Sequence, residues 1–177
     1  MENQSSIERR ASRIKLLLMD CDGVLTDGRL WLMENGEEQK SFNVRDGMGL
    51  DLLRRAGLRS GVISGRVSAA LERRSQELQI DFLQQGTSDK IFAFSEILRE
   101  ARVDSGEVAF IGDDINDIPL MQRCELAIAV ADAAEETRKA AHFVTRAKGG
   151  DGAVREVIEI ILKAQGRWSE IMKHYLE

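Results

Sequence analysis

Apolar residues run from Ile14 to Met19 with only Lys15 between them, the pattern of a short strand buried on both faces of a parallel sheet. Arg29–Met33 and Gln39–Val44 are two further strand candidates. They flank Glu34-Asn35-Gly36-Glu37, and an Asn-Gly pair predicts a tight hairpin. Met48, Leu50, Leu52, Leu53 and Ala56 then recur with helical spacing, and Gly57 supplies a C-terminal stop. From there strand and helix patterns alternate: Gly61–Ile63, Val67–Leu78, Ile80–Leu83, Lys90–Ala101, Val108–Ile111, Ile118–Cys124, Leu126–Val130 and Ala133–Ala141. After the glycine-rich turn Lys148–Gly152, an amphipathic helix is predicted over Ala153–Ala164. This alternation predicts an α/β fold, a doubly wound, Rossmann-like parallel sheet in three layers with right-handed crossovers. A β-hairpin (29–44) is inserted after the first strand, and no insertion is long enough for a cap domain. Ligands in such sheets sit at the C-terminal ends of the strands.

Composition narrows the picture. The 177 residues, 43% apolar, suit a single domain over 1–177 with a C-terminal helix and tail over 153–177. A net charge of −5 and dispersed Lys and Arg exclude the basic footprint expected of a nucleic-acid or anionic-membrane binder. Cys21 and Cys124 form no metal or disulfide spacing. No apolar run approaches the roughly 20 residues of a membrane helix, and Met1–Arg13 lacks the pattern of a signal peptide. The expectation is a cytoplasmic protein with no membrane partner.

On the predicted sheet the polar groups gather at one edge. Asp20 and Asp22 end the first strand, Ser64 ends another, Lys90 opens a helix, and Asp113 and Asp114 end a third strand. Two like charges 4 Å apart repel by about 4 kcal/mol at an effective dielectric of 20, so such a cluster calls for a cation. All-oxygen donors favour Mg²⁺, which binds one or two carboxylates together with water and substrate phosphate oxygens. A carboxylate such as Asp20 can attack phosphorus, giving an aspartyl-phosphate. Asp22, two residues on in an extended segment, points the same way and can serve as general acid and then base. Lys90, the Ser64 hydroxyl and the backbone amides of the glycine turns, Gly65 among them, can neutralise phosphoryl oxygens.

The segments DCDGVLTDG (20–28), ISGR (63–66), SDK (88–90) and GDDINDIPLM (112–121) resemble, in order and spacing, the four motifs of the haloacid dehalogenase superfamily. That resemblance implies that Asp20 and Asp113 ligate the metal through carboxylates and Asp22 through its backbone carbonyl, with Asp114 and Asp117 supporting them from behind. ENGEEQKSFNVRDGMG (34–49), the short spacing between the first two motifs, and VTRAKGGDGAVREV (144–157) are similar to the capless phosphatases that release the sugar acid Kdo from its 8-phosphate for lipopolysaccharide synthesis. Members of that group are homotetramers in which the hairpin builds the subunit contact and closes the neighbouring active site, so 29–44 is the expected interface and oligomerisation would replace the missing cap. Ser64 stands where threonine is common and Cys21 where an aliphatic residue is frequent, and neither change removes a catalytic group.

Plainer readings compete at several positions. Gly-Asp-Asp is also an ordinary turn and helix cap, Ser64-Gly65 an N-cap, and Lys90 a helix-start lysine. Arg45, Arg66 and Arg155 offer planar forks for a substrate carboxylate, and each is equally well read as a structural ion pair. Cys21 reads as a packed small residue whose pKa nearby carboxylates would raise. Rival functions are a phosphatase for a nine-carbon ulosonate 9-phosphate, a non-catalytic oligomerisation module, and a phosphomutase. The first shares every catalytic residue. The second would be expected to have lost an aspartate or the lysine, and the third to need a water-excluding cap.

Overall fold

The computed structural model describes residues 3–34 and 38–176. Helix α1 (Gln4–Ala11) leads into β1 (Leu16–Met19), whose four side chains are all buried. The chain then forms the ribbon β2 (Trp31–Leu32) and β3 (Glu38–Gln39) and helix α2 (Val44–Arg55). The alternation continues as β4 (Arg59–Ile63), α3 (Ala69–Glu77), β5 (Phe82–Gln84), α4 (Lys90–Ala101) and β6 (Val108–Gly112). It closes with α5 (Ile118–Met121), β7 (Leu126–Ala129), α6 (Glu135–Ala140), β8 (Phe143–Val144), α7 (Ala153–Ala164) and α8 (Trp168–Leu176).

Six strands form one parallel sheet in the order β5-β4-β1-β6-β7-β8, flanked by helices as the alternation predicts. Strand β1 lies at its centre, with Met19 in register with Val62 of β4 and Ile111 of β6. The residues that follow β1, β4 and β6 therefore emerge side by side at one edge. That register is held by apolar burial. On α7, Val154, Val157, Ile158, Ile161 and Leu162 are buried against the core and α2, at roughly 1.5–3 kcal/mol per side chain.

Helices α4 and α7 have the bounds that the apolar spacing predicts, because Asp89 caps one by accepting the Phe92 N–H (2.9 Å) and glycine opens the other. Gly57, at φ +75°, ends α2 as its position predicts. The hairpin strands are shorter than predicted, with two residues each, because the ribbon pairs only with itself and is open to solvent. Its Asn-Gly turn, at 35–37, lies outside the described residues. Three elements escape the apolar pattern: α1, the two-residue β8 and α8. The last docks through Trp168, over which the Arg155 and Lys163 cations sit at 5.6 and 5.0 Å.

Candidate active site

Asp20 follows β1 directly and stays in the sheet's hydrogen-bond register, its N–H donating to Ile111 O (3.0 Å). Its side chain is buried, with Oδ1 accepting the Cys21 N–H (2.7 Å) and Oδ2 the Lys90 ammonium (2.9 Å). Lys90, the first residue of α4, also donates to Asp117 Oδ1 (2.7 Å). Asp117 is fully buried, and its Oδ2 accepts the N–H groups of Asp113 (3.0 Å) and Asp114 (3.4 Å). Asp114 caps the short 3₁₀ turn Ile115–Asp117, its Oδ1 accepting the Ile115 N–H (2.7 Å).

Two glycines make these approaches feasible. A Cβ on Gly23 would lie 2.1 Å from Asp113 Oδ2, and one on Gly112 would lie 2.5 Å from Asp117 Oδ2. Both motifs thus need glycine for space, and Gly23 also for its φ of +86°. Turn 148–152 closes on the same loop: Gly150 N–H donates to Val24 O (2.9 Å) and the Asn43 amide to Gly150 O (3.2 Å).

One oxygen from each of Asp20, Asp113 and Asp117 falls within 4.8 Å of the others. Three formal negative charges face the single positive charge of Lys90. Burial, then the charge of Asp117, pushes the Asp20 carboxyl up to about 6 against the pull of Lys90. Burial, then Asp117, Asp20 and Asp114, pushes Asp113 up to about 7. Burial alone would lower the Lys90 pKa, but Asp117 and Asp20 more than reverse this and raise it. The excess negative charge and all-oxygen donors fit a hard divalent cation. Both oxygens of Asp117 and both of Asp20 already accept donors, which leaves the Asp113 carboxylate as the freest ligand among the described residues.

These groups open onto a hollow of about 250 Å³ lined by Asp20, Asp22, Ser64, Gly65, Arg66, Asp113 and Asp114, so predicted residues of three segments meet there, and Lys90 of the fourth joins them through its bond to Asp20. Ser64 is buried, and its Oγ accepts the Arg66 N–H (3.2 Å). A larger open hollow of about 720 Å³ runs along α4 past Glu96 and Arg99, away from the carboxylates, so size does not mark the site. Arg45 and Arg155 line yet another hollow beside α7, apart from Asp20. There Arg155 pairs with Glu159 (2.9 Å). The Cys21 thiol is buried and its pKa is raised, by burial first and by Asp22 second.

Two residues that the sequence patterns do not single out also reach the site. Lys40 donates to Asp22 Oδ1 and lies 2.7 Å from Glu38 Oε1. Glu38 Oε2 accepts from Arg66, whose Nε lies 3.7 Å from Asp22 Oδ2. They stand beside the predicted turn, where only side-chain placement could have identified them.

The sequence profile of the haloacid dehalogenase-like hydrolase family matches residues 67–158. The chain is 46% identical, over 159 residues, to the 3-deoxy-D-manno-octulosonate 8-phosphate phosphatase of Yersinia pestis, spanning 90% of this chain and 85% of that one. Its fold superposes on the 3-deoxy-D-manno-octulosonate 8-phosphate phosphatase of Moraxella catarrhalis, solved with magnesium, phosphate and Kdo, with a TM-score of 0.95 at 37% identity, covering 98% of this chain and 99% of that one. The cobalt-bound deoxy-D-mannose-octulosonate 8-phosphate phosphatase of Haemophilus influenzae gives a TM-score of 0.86 at 41% identity over 89% and 92% of the two chains.

Proposed function

The chain belongs to the haloacid dehalogenase-like hydrolases, and from that premise we propose that it is a Mg²⁺-dependent phosphomonoesterase for 3-deoxy-D-manno-octulosonate 8-phosphate, acting in lipopolysaccharide synthesis. The observation that carries the reading is the buried Asp20 carboxylate at the end of the central strand, with Lys90 on one oxygen and Asp113 and Asp117 beside it. Likeness in sequence and fold to phosphatases named for that substrate supports its extension to the sugar acid.

In the first step an Asp20 oxygen attacks phosphorus, the phosphorus–ester oxygen bond breaks, and Asp22 gives its proton to the departing alkoxide. In the second, Asp22 takes a proton from water as the water oxygen attacks phosphorus. The bond to Asp20 then breaks, leaving inorganic phosphate and the free carboxylate. Lys90, the Ser64 hydroxyl and the Gly65 N–H hold the phosphoryl oxygens, where charge builds up in the transition state. Asp20, Asp113 and the Asp22 carbonyl would hold Mg²⁺, which supplies charge neutralisation at the phosphoryl group. Asp114 and Asp117 keep those ligands in place. Arg66, which lines the hollow, is the arginine best situated for the substrate carboxylate. Arg45 and Arg155 line a separate hollow and are left out of this role.

The hairpin is the proposed contact of a homotetramer. Leu30, Trp31, Leu32 and Met33 are 45, 58, 73 and 44% exposed, an apolar run that calls for a covering partner. A cytoplasmic setting suits the two free, buried cysteines. Among the described residues no helix is long and apolar enough to cross a membrane.

The test is phosphate release with Mg²⁺ from the octulosonate 8-phosphate, a nine-carbon ulosonate 9-phosphate and an aryl phosphate, with Asp20→Asn and EDTA as controls. Strong preference for the first ester with both controls inactive supports the whole reading. Preference for the nine-carbon ester replaces the substrate and keeps the chemistry, and no turnover at all refutes the enzyme.

A further inference from the structure

We infer that Lys40, anchored by Glu38, is a positioning residue that aims the Asp22 carboxylate at the reacting ester, so that the hairpin supplies part of the machinery of its own chain's site. The inference rests on the reading of Asp22 as acid and base. Four charges alternate around a closed ring. Asp22 Oδ1 faces Lys40 and Oδ2 faces Arg66, while Glu38 Oε1 faces Lys40 and Oε2 faces Arg66. The four are unequal in burial, the side chain of Lys40 being 1% exposed and that of Arg66 48%.

Burying an ammonium group costs several kcal/mol unless carboxylates compensate it, and here two do. A surface lysine serving only solubility would not be sealed beneath a catalytic edge. Lysine suits the place because its compact charge can meet one oxygen of each carboxylate at once. Its contact fixes the torsions of Asp22, which otherwise could swing its carboxyl away from the leaving oxygen. A displacement of about 1 Å in such a group can cost about 10²-fold in rate.

The test uses Lys40→Met and Glu38→Gln in the full chain with Mg²⁺, across phosphate monoesters from p-nitrophenyl phosphate to simple alkyl phosphates and the octulosonate ester. Here kcat/KM reports transfer to Asp20, which needs a proton donor only when the leaving group is basic. Lys40→Met is expected to lose about 30–100-fold in kcat/KM on alkyl esters and less than about threefold on p-nitrophenyl phosphate. With the latter it should release a burst of nitrophenol, since hydrolysis of the aspartyl-phosphate still requires Asp22. Glu38→Gln should show the same selectivity in weaker form, and it decides the matter if Lys40→Met does not fold. A loss uniform across esters in the folded variants, or no loss, overturns the inference. Wild type and Asp20→Asn run alongside: a wild type that hydrolyses no ester refutes the underlying reading, whereas an active wild type with unselective variants refutes this inference alone.

Discussion

Replacing Gly149 by alanine should damage both stability and turnover, although Gly149 lies outside the carboxylate cluster. An added Cβ would sit 1.7 Å from Gly23 O, 2.5 Å from Gly23 C and 3.2 Å from Thr26 O. Ordinary contact begins at 3.4 Å, so the two backbones must part by about 3.4 − 1.7 = 1.7 Å. Both close neighbours are main-chain atoms, so no side-chain rotation relieves the clash. Gly23 in turn abuts Asp113, and the displacement is transmitted to a proposed metal ligand. Overpacking of this kind costs about 1–3 kcal/mol, a fall in Tm of roughly 2–12 °C for a domain of this size. A shift of about 1 Å or more at the site should lower kcat about 10²-fold. Gly149 is not among the positive-φ glycines, so the penalty is steric. Gly106→Ala, where a Cβ meets nothing within 4 Å, is the matched control. Thermal melting by circular dichroism and steady-state phosphate release decide the matter. A Gly149→Ala protein that melts within about 1 °C of wild type, with kcat within about twofold, would refute the steric reasoning.

Lys90→Met leaves Asp20 and Asp117 without their shared cation, and urea denaturation in EDTA should show a loss of about 3–5 kcal/mol, partly restored by Mg²⁺. An unchanged midpoint would mean that the lysine is not holding the carboxylates together. Metal affinity should rise with pH between about 5.5 and about 8, because protons compete for Asp20 up to about 6 and for Asp113 up to about 7. In linkage language, both carboxyl pKa values are raised above 3.8. Their contribution to the metal-free fold is therefore fully present below that value and is lost as pH rises through about 6 and 7. The gain in Tm on adding Mg²⁺ should accordingly be largest at alkaline pH, and calorimetric titrations showing a pH-independent affinity would contradict it. Trp31→Asp places a charge in the exposed hairpin run and should convert the proposed tetramer to smaller species in sedimentation velocity. A persistent tetramer would move the interface elsewhere.

The strand-helix order and the gathering of acidic residues at one edge were readable because each rests on local patterns. A continuous apolar run marks β1, and acidic residues follow it at once. Capping residues and apolar spacing delimit α4 and α7. The strand order, with β1 between β4 and β6, is a long-range property that the alternation constrains without specifying. Other features escaped for identifiable reasons. Strand β8 has two residues, too few for a period, and α8 has no fully buried side chain to show a stripe. Lys40 and Glu38 sit where the predicted turn meets a strand candidate, and no pattern there assigns a side chain to Asp22. Lys40 meets Asp22, and Glu38 meets Lys40 and Arg66, only because the ribbon folds back over the edge, Lys40 and Asp22 being 18 positions apart. Placing the carboxylate of Asp117 against Lys90 likewise required the packing of α4 beside α5, which Asp117 immediately precedes.

The hairpin pairs through two residues per strand and carries four half- or mostly exposed apolar side chains, while the sheet beneath it is wholly buried at its centre. Such a ribbon belongs to the low-stability end of a protein's opening hierarchy, and the sheet to the high end. Amides of β2 and β3 should therefore exchange with solvent through an opening that leaves β1, β4 and β6 protected. Each such excursion carries Lys40 and Glu38 away from Asp22. Rising denaturant would then silence the site in advance of the cooperative transition, leaving an inactive molecule whose core is still native.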